Sequence, residues 1–219
     1  MYRTNKIYGM LFLLILVVSC KNKEEKISRV EALPYYNEAS FMPQWLTPNS
    51  IRVEAFHKIP GFSFTDQEGT TITDETFDDK IYVADFFFTT CPGICLKMTA
   101  NMSVLQDEFK EDGDVLLLSH SVTPKSDSVA VLKKYALENG VISTKWHLVT
   151  GERSEIYDLG RNSYFVEEDL GVTKTDEDFL HTENFVLIDK NKHIRGIYNG
   201  LNKTAIQQLI ADIQTLKQE

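Results

Sequence analysis

Cys91 and Cys95 are separated by Pro92-Gly93-Ile94, and the segments on either side give the pair its meaning. Upstream, Ile81-Tyr82-Val83-Ala84-Asp85-Phe86-Phe87-Phe88 is an apolar, β-rich run of strand length. Downstream, Leu96 to Phe109 reads as a helix with Met98, Met102, Leu105 and Phe109 on one stripe. Two thiols at a strand-to-helix turn meet free amide N–H groups and the positive end of the helix dipole, both of which favour the thiolate. A thiolate is the nucleophile of disulfide exchange and a ligand for soft metals, so the pair points to redox or metal chemistry. With Cys91 as the helix cap and Cys95 in its first turn, the two lie about one turn (~5.4 Å) apart, close enough to form a disulfide or share one ion. Pro92 suits the first helical position, where its missing N–H costs nothing. Gly93 leaves space beside the sulfurs.

The rest of the cysteine inventory sharpens this. Residues 1–19 carry Arg3 and Lys6 before an apolar run, Ile7–Val18, too short to span a bilayer comfortably. The run ends in Val17-Val18-Ser19-Cys20, which resembles a bacterial lipoprotein processing site; the resemblance implies a signal peptide over 1–19 and lipid on Cys20. Cys91 and Cys95 are then the only thiols left in an exported chain, too few for a disulfide framework. A bridge between residues four apart constrains little chain entropy, so the pair is there for chemistry. Without residues 1–19 the chain carries 21 basic against 32 acidic residues, a net charge of −11. No basic patch stands out, which argues against nucleic acid, and lipid instead of charge is expected to hold the protein to a membrane.

The elements that must position the pair follow from periodicity and punctuation. Residues 20–51 read as a tether, charged at first and then rich in proline and aromatics, with its later half lying on the domain surface. Residues 52–219 suffice for one domain with a substantial core. Ile59–Asp66 and Thr70–Thr73 flank Gln67-Glu68-Gly69 as a hairpin, and Val115–Ser121 is a continuous apolar strand. A helix is expected from Pro124 and Ser126 to Asn139-Gly140, then a strand at Trp146–Val149 and a short helix at Glu152–Gly160. Residues 161–181 are irregular and acidic. A second hairpin pairs Asn184–Asp189 with His193–Tyr198, and Lys203–Lys217 closes the chain as an amphipathic helix. The order implies parallel strands followed by an antiparallel pair. It is an α/β, thioredoxin-like order: a central mixed β-sheet flanked by helices, with an N-terminal β-hairpin extension.

Two thiolates under-coordinate most ions, whereas Cu(I) accepts few ligands, prefers sulfur and often takes an imidazole. Among His57, His120, His147, His181 and His193, His181 stands out, because it ends the acidic loop just before a strand expected beside the cysteine turn. Met98 and Met102 share a helical face with Cys95 and read as core filling. The acids between Glu167 and Asp178 read as a solvated loop. Asp85 is a carboxylate inside an apolar strand; buried, it would titrate high and could accept a thiol proton.

Phe87-Phe88-Thr89-Thr90-Cys91-Pro92-Gly93-Ile94-Cys95, followed by Asp178-Phe179-Leu180-His181-Thr182 and Phe185-Val186-Leu187-Ile188-Asp189, resembles the Sco/SenC family over most of residues 55–219. Those proteins are thioredoxin-like, exported and membrane-tethered, and help assemble the CuA centre of cytochrome c oxidase. The resemblance implies copper ligands Cys91, Cys95 and His181, copper as Cu(I) with Cu(II) as a second state, and the CuA-bearing subunit as partner. Other copper chaperones or thiol reductants would reload the site, at a membrane of the bacterial cell envelope, facing the periplasm or exterior. Where the family commonly has a second proline, directly after the second cysteine, this chain has Leu96. The alternative is a thiol–disulfide oxidoreductase using Cys91 and Cys95 as a redox-active pair without obligatory copper. Such reductants usually present a cis-proline near the position of His181, and no proline follows Pro124 here, which favours copper. A peroxiredoxin-type role is set aside, because Phe86 and Phe88 occupy the neighbourhood where that family needs proline and threonine.

Overall fold

The computed structural model describes residues 28–47, 50–167 and 178–219. The signal segment, Cys20 and most of the acidic run after Glu167 lie outside these residues. After a one-turn helix, α1 (Ile51–Glu54), come β1 (Ser63–Asp66), β2 (Thr71–Thr73), β3 (Ile81–Phe87), α2 (Ile94–Phe109), β4 (Val115–Ser121) and α3 (Val129–Glu138). Then follow β5 (Trp146–Thr150), α4 (Arg153–Asp158), β6 (Asn184–Ile188), β7 (Ile194–Asn199) and α5 (Lys203–Leu216).

The strands form one seven-stranded sheet in the order β2-β1-β5-β4-β3-β6-β7. β3, β4 and β5 run parallel, as their helical crossovers require; β6 pairs antiparallel with β3 and β7, and the β1–β2 hairpin adds to the β5 edge. β3 and β4 are buried at every position, which explains their largely apolar sequence; Asp85, Ser119, His120 and Ser121 are the buried polar exceptions. Alternation then divides their side chains between two cores. Val83, Phe87 and Leu117 meet Met98, Met102, Leu105 and Phe109 of α2, together with α5. Tyr82, Phe86 and Leu118 meet Phe77, Tyr157 and Tyr164 on the other face. The Met98–Met102 stripe is fully buried, so it fills the core as its spacing suggested.

Three expectations shift. α2 begins at Ile94 with Gly93 as its cap, so Cys91 and Pro92 precede the helix instead of capping and opening it, while Cys95 does lie in the first turn. α3 begins at Val129, capped by the Ser128 hydroxyl, and not near Ser126. The reason is Asp127, whose buried carboxylate is taken up by hydroxyls of neighbouring loops and holds residues 124–128 in a turn. The packed chain also starts well before Arg52. Leu33 and Tyr35 are buried, Tyr36 bridges to Ile194, and Arg195 donates to the carbonyls of Leu33 and Pro34. Residues 28–47 form a strap on β7 and α5; the sequence suggested that only the later half of 20–51 lies on the domain surface, and the packed part begins earlier.

Candidate functional site

The C-terminal ends of β3 and β4 form one rim of the sheet, and in parallel α/β sheets this rim is where ligands bind. Cys91 follows β3 there, in the turn before α2. Both cysteines are free thiols and largely buried, Cys91 at 9% and Cys95 at 4% exposure. Their environments differ in kind. Burial pushes the Cys91 thiol up, but the Cys95 thiol and the N–H groups of Gly93, Ile94 and Cys95 converge on its sulfur and bring it below the ordinary cysteine value. Pro92 has no N–H to offer, so this cluster of amides belongs to the helix start alone. Cys95 is pushed up to about 12 by burial, by its hydrogen bond to Cys91 and by the nearby charges of Cys91 and Asp85, with only the Phe88 N–H opposing. The pair therefore shares its first charge on Cys91 and keeps its proton on Cys95. Iodoacetamide at neutral pH is expected to modify Cys91 many times faster than Cys95 in the reduced fold, with the Cys91 rate rising with pH until the thiolate is fully formed. Peptide mapping by mass spectrometry checks this, and comparable rates at the two cysteines would contradict it.

Behind the pair, Asp85 lies on the α2 side of β3, between Val83 and Phe87. It is buried and stands opposite Ser119 in the β3–β4 register. The Trp146 indole donates to the Ser119 hydroxyl at 2.8 Å, and Ser119 donates to Asp85. Burial raises the Asp85 carboxyl to about 7 against the Ser119 bond, which pulls it down. A carboxyl raised on folding favours the fold when protonated. Its contribution is complete below the unfolded value near 3.8 and is lost as pH rises through about 7. Wild type should thus lose on the order of 4 kcal/mol between these limits through this group, a slope that Asp85→Asn should flatten. Denaturant titrations at pH 5 and 8 read the difference; an unchanged slope in the variant would refute the assignment.

Asp127, which the sequence reading passed over, fixes the approach to Cys91. Its carboxylate accepts from the Thr89 hydroxyl at 2.5 Å and amide at 3.2 Å, the Ser121 hydroxyl at 2.6 Å and the Thr123 hydroxyl at 2.9 Å. Thr89 stands two residues before Cys91, so the β4–α3 loop grips the cysteine loop through one buried acid. The signal available in the sequence was the cluster of Thr89, Ser121, Thr123 and Asp127 at predicted strand ends, which becomes a cluster only once β3 and β4 are paired.

Of the five histidines, four are committed elsewhere. His57 Nε2 bonds the Ser163 carbonyl, His147 Nδ1 pairs with Asp66, and His193 Nδ1 bonds the His57 carbonyl. His120 is fully buried among Phe62, Phe64, Phe86 and Tyr164, and burial lowers it to about 3, so it stays neutral. His181 alone is exposed at the cysteine end of the sheet, because β6 runs antiparallel to β3 and begins where β3 ends. Phe179, two residues earlier, packs edge-on against Phe88 with ring centroids 5.4 Å apart. The fold thus brings Cys91 and Cys95 together and sets His181 on the same rim. It does not gather the three: among the described residues no group of three His, Cys, Asp or Glu side chains is close enough to hold a metal. Gly93 has open space where a Cβ would stand, and Leu96 is half exposed beside the pair, so this face is uncovered.

Comparison with known proteins fits this geometry. The SCO1/SenC family model matches residues 52–218. Of similar solved structures, BsSco, a Sco-family cytochrome c oxidase assembly protein with a disulfide switch, is 30% identical, covering 73% of this chain and 93% of its own (TM-score 0.61). A SCO1/SenC family lipoprotein of Bacillus anthracis is 32% identical, covering 74% and 95% (TM-score 0.64). ScoI of Arabidopsis thaliana with copper bound is 25% identical, covering 73% and 98% (TM-score 0.57). With a thioredoxin-like sheet, a free dithiol at its rim and a match across the whole domain, this chain belongs to the SCO1/SenC family.

Proposed function

We propose that this protein carries copper, held as Cu(I) by Cys91 and Cys95 with His181 completing the set, to the CuA-bearing subunit of cytochrome c oxidase during assembly. The observation that carries the reading is the free, buried dithiol with a depressed Cys91 thiol, on the same rim as the one exposed histidine. Two sulfurs and an imidazole are the donor set that Cu(I) favours over harder ions. The copper-bound plant relative and the oxidase-assembly role of BsSco support it. His181 must approach the sulfurs as copper enters, and its exposed position in the loop before β6 leaves it free to do so. Cys20 is proposed to anchor the chain by lipid to a membrane of the cell envelope, in keeping with the Bacillus anthracis lipoprotein. Among the described residues no helix is long and apolar enough to cross a membrane. The deciding experiment measures Cu(I) bound per chain on reduced and on oxidised protein. One equivalent on the reduced form and none on the oxidised form is expected; equal binding to both would overturn the proposal.

A second reading, that the dithiol also reduces the cysteines of the target copper site, is favoured by the split between the two thiols. A low Cys91 suits attack on a disulfide, and a protonated Cys95 suits later resolution of the mixed disulfide once it gives up its proton. Asp85, titrating near neutrality and felt by Cys95, is the buried group able to take that proton.

A further inference from the structure

Beside the dithiol rim lies a cavity of about 200 Å³ whose walls are Val122, Pro124, Tyr157 and Phe179. Lys125 and Arg153 also line it. The two arginines that stack on Tyr157 have different fates. Arg161 lies 5.2 Å from the ring centroid and is neutralised by Glu167, with a further bond to the Asp178 carbonyl. Arg153 lies 4.5 Å from the same ring, its Nε is buried with no hydrogen-bond partner, and it makes no ion pair among the described residues. Lys125 is exposed and likewise makes no ion pair among the described residues. What sets the cavity apart is Arg153, a cation stacked on an aromatic wall with a buried Nε that no acceptor meets among the described residues.

Stacking occupies the face of a guanidinium and leaves its edge, with in-plane N–H donors in a fork, for a planar acceptor. A carboxylate matches that fork with two parallel bonds, and a lysine nearby adds attraction without geometric demand. The apolar walls call for a compact hydrocarbon body behind the carboxylate. Those walls are firm on one side, because the Tyr157 hydroxyl is tied to the Val122 carbonyl at 3.1 Å. On the other side stands Phe179, which also touches Phe88 and precedes His181 by two residues. We propose that the Arg153–Lys125 cavity is a binding site for a compact monocarboxylate, with its carboxylate on the Arg153 fork and its apolar body against Tyr157 and Phe179. Occupancy would change the packing of Phe179 and so report to the loop that carries His181.

The test uses the full reduced chain, with benzoate as probe and benzamide as its uncharged counterpart, following the side-chain NMR resonances of Arg153 and Phe179. Saturable shifts of both with benzoate and none with benzamide are expected, together with an affinity at least about tenfold lower in Arg153→Met and several-fold lower in Lys125→Met. Sulfate binding as tightly as benzoate would overturn the carboxylate assignment. So would benzoate shifts that leave Arg153 and Phe179 unmoved, or unchanged binding in Arg153→Met. Arg153→Lys keeps the charge and loses the fork. It should fold as wild type and bind weakly, and wild-type affinity in it would refute the bidentate geometry.

Discussion

Cys91→Ser and Cys95→Ser should each lower the Cu(I) affinity of the reduced chain by well over a hundredfold, and His181→Ala by about ten- to a hundredfold. The order follows from the donors. Cu(I) bonds most strongly to thiolate, and a hydroxyl is no substitute; loss of a mere supporting contact at a metal site already costs about 10–100-fold. Cys91 is the readier donor, since its thiol is depressed by three amides and by Cys95. Cys95 is the partner that must surrender a proton, its thiol being raised to about 12. Copper-bound chain therefore carries at least one proton fewer than free chain across the neutral range, and apparent affinity should climb at least about tenfold per pH unit there. Cys95→Ser removes that released proton along with the ligand, so the affinity and its pH slope should fall together. His181 is expected to matter less because it starts exposed and apart from the sulfurs; its side chain must be immobilised as the metal binds, which offsets part of what the imidazole contributes. Competition against a colorimetric Cu(I) chelator at several pH values measures all of this. Retention of wild-type affinity in either cysteine variant would end the copper assignment. A His181→Ala variant indistinguishable from wild type would leave copper on the dithiol and remove His181 from the ligand set.

The sequence made the dithiol legible because its context is local. A strand of apolar β-formers, a turn with proline and glycine, and a helix with a methionine stripe all lie within thirty residues, and each appears where its periodicity put it. The sheet order was legible for a related reason, since the helices at α2 and α3 force parallel neighbours while the short Lys190-Asn191-Lys192 turn forces an antiparallel pair. What escaped depended on contacts distant in the chain. The aromatics of this stretch point to the domain surface, but Leu33 looks like a linker residue until Arg195, some 160 positions later, binds the carbonyls of Leu33 and Pro34 and stacks on Tyr35 at 3.9 Å. The start of α3 was misplaced because proline and serine are sound opening signals, and only the hydroxyls delivered by β3 and β4 explain why the chain waits for Ser128. The helix cap differs by two residues: Gly93 takes that position, and the Cys91 sulfur meets the amides of residues 93–95 from the turn before it. Asp127 and Arg153 share the remaining lesson. An acid in a loop or a base at a helix start reads as solvated until the fold decides how many partners it has.

Asp127→Ala is expected to cost about 3–5 kcal/mol of stability, because it empties a buried acceptor site. Four donors lose their acceptor at once, and three of them, on Thr89, Ser121 and Thr123, converge from β3 and β4 into a place from which water is excluded. An alanine methyl answers none of them and leaves a cavity as well. Asp127→Asn keeps the shape and one acceptor oxygen, while hydroxyls can rotate to accept from its amide; it should cost roughly 1–3 kcal/mol. Denaturant unfolding of the three proteins measures the series. The functional consequence separates positioning from mere stability. Thr89 is held at both its amide and its hydroxyl by Asp127, so in the folded alanine variant the Cys91 loop should wander, and the preference of iodoacetamide for Cys91 over Cys95 should shrink as the sulfur drifts off its amides. Copper affinity measured below the unfolding midpoint should fall by about 10–100-fold, the range typical of residues that orient metal ligands without touching the metal. If Asp127→Ala loses stability but keeps both the alkylation preference and the copper affinity of wild type, Asp127 holds the fold alone and the cysteine loop positions itself.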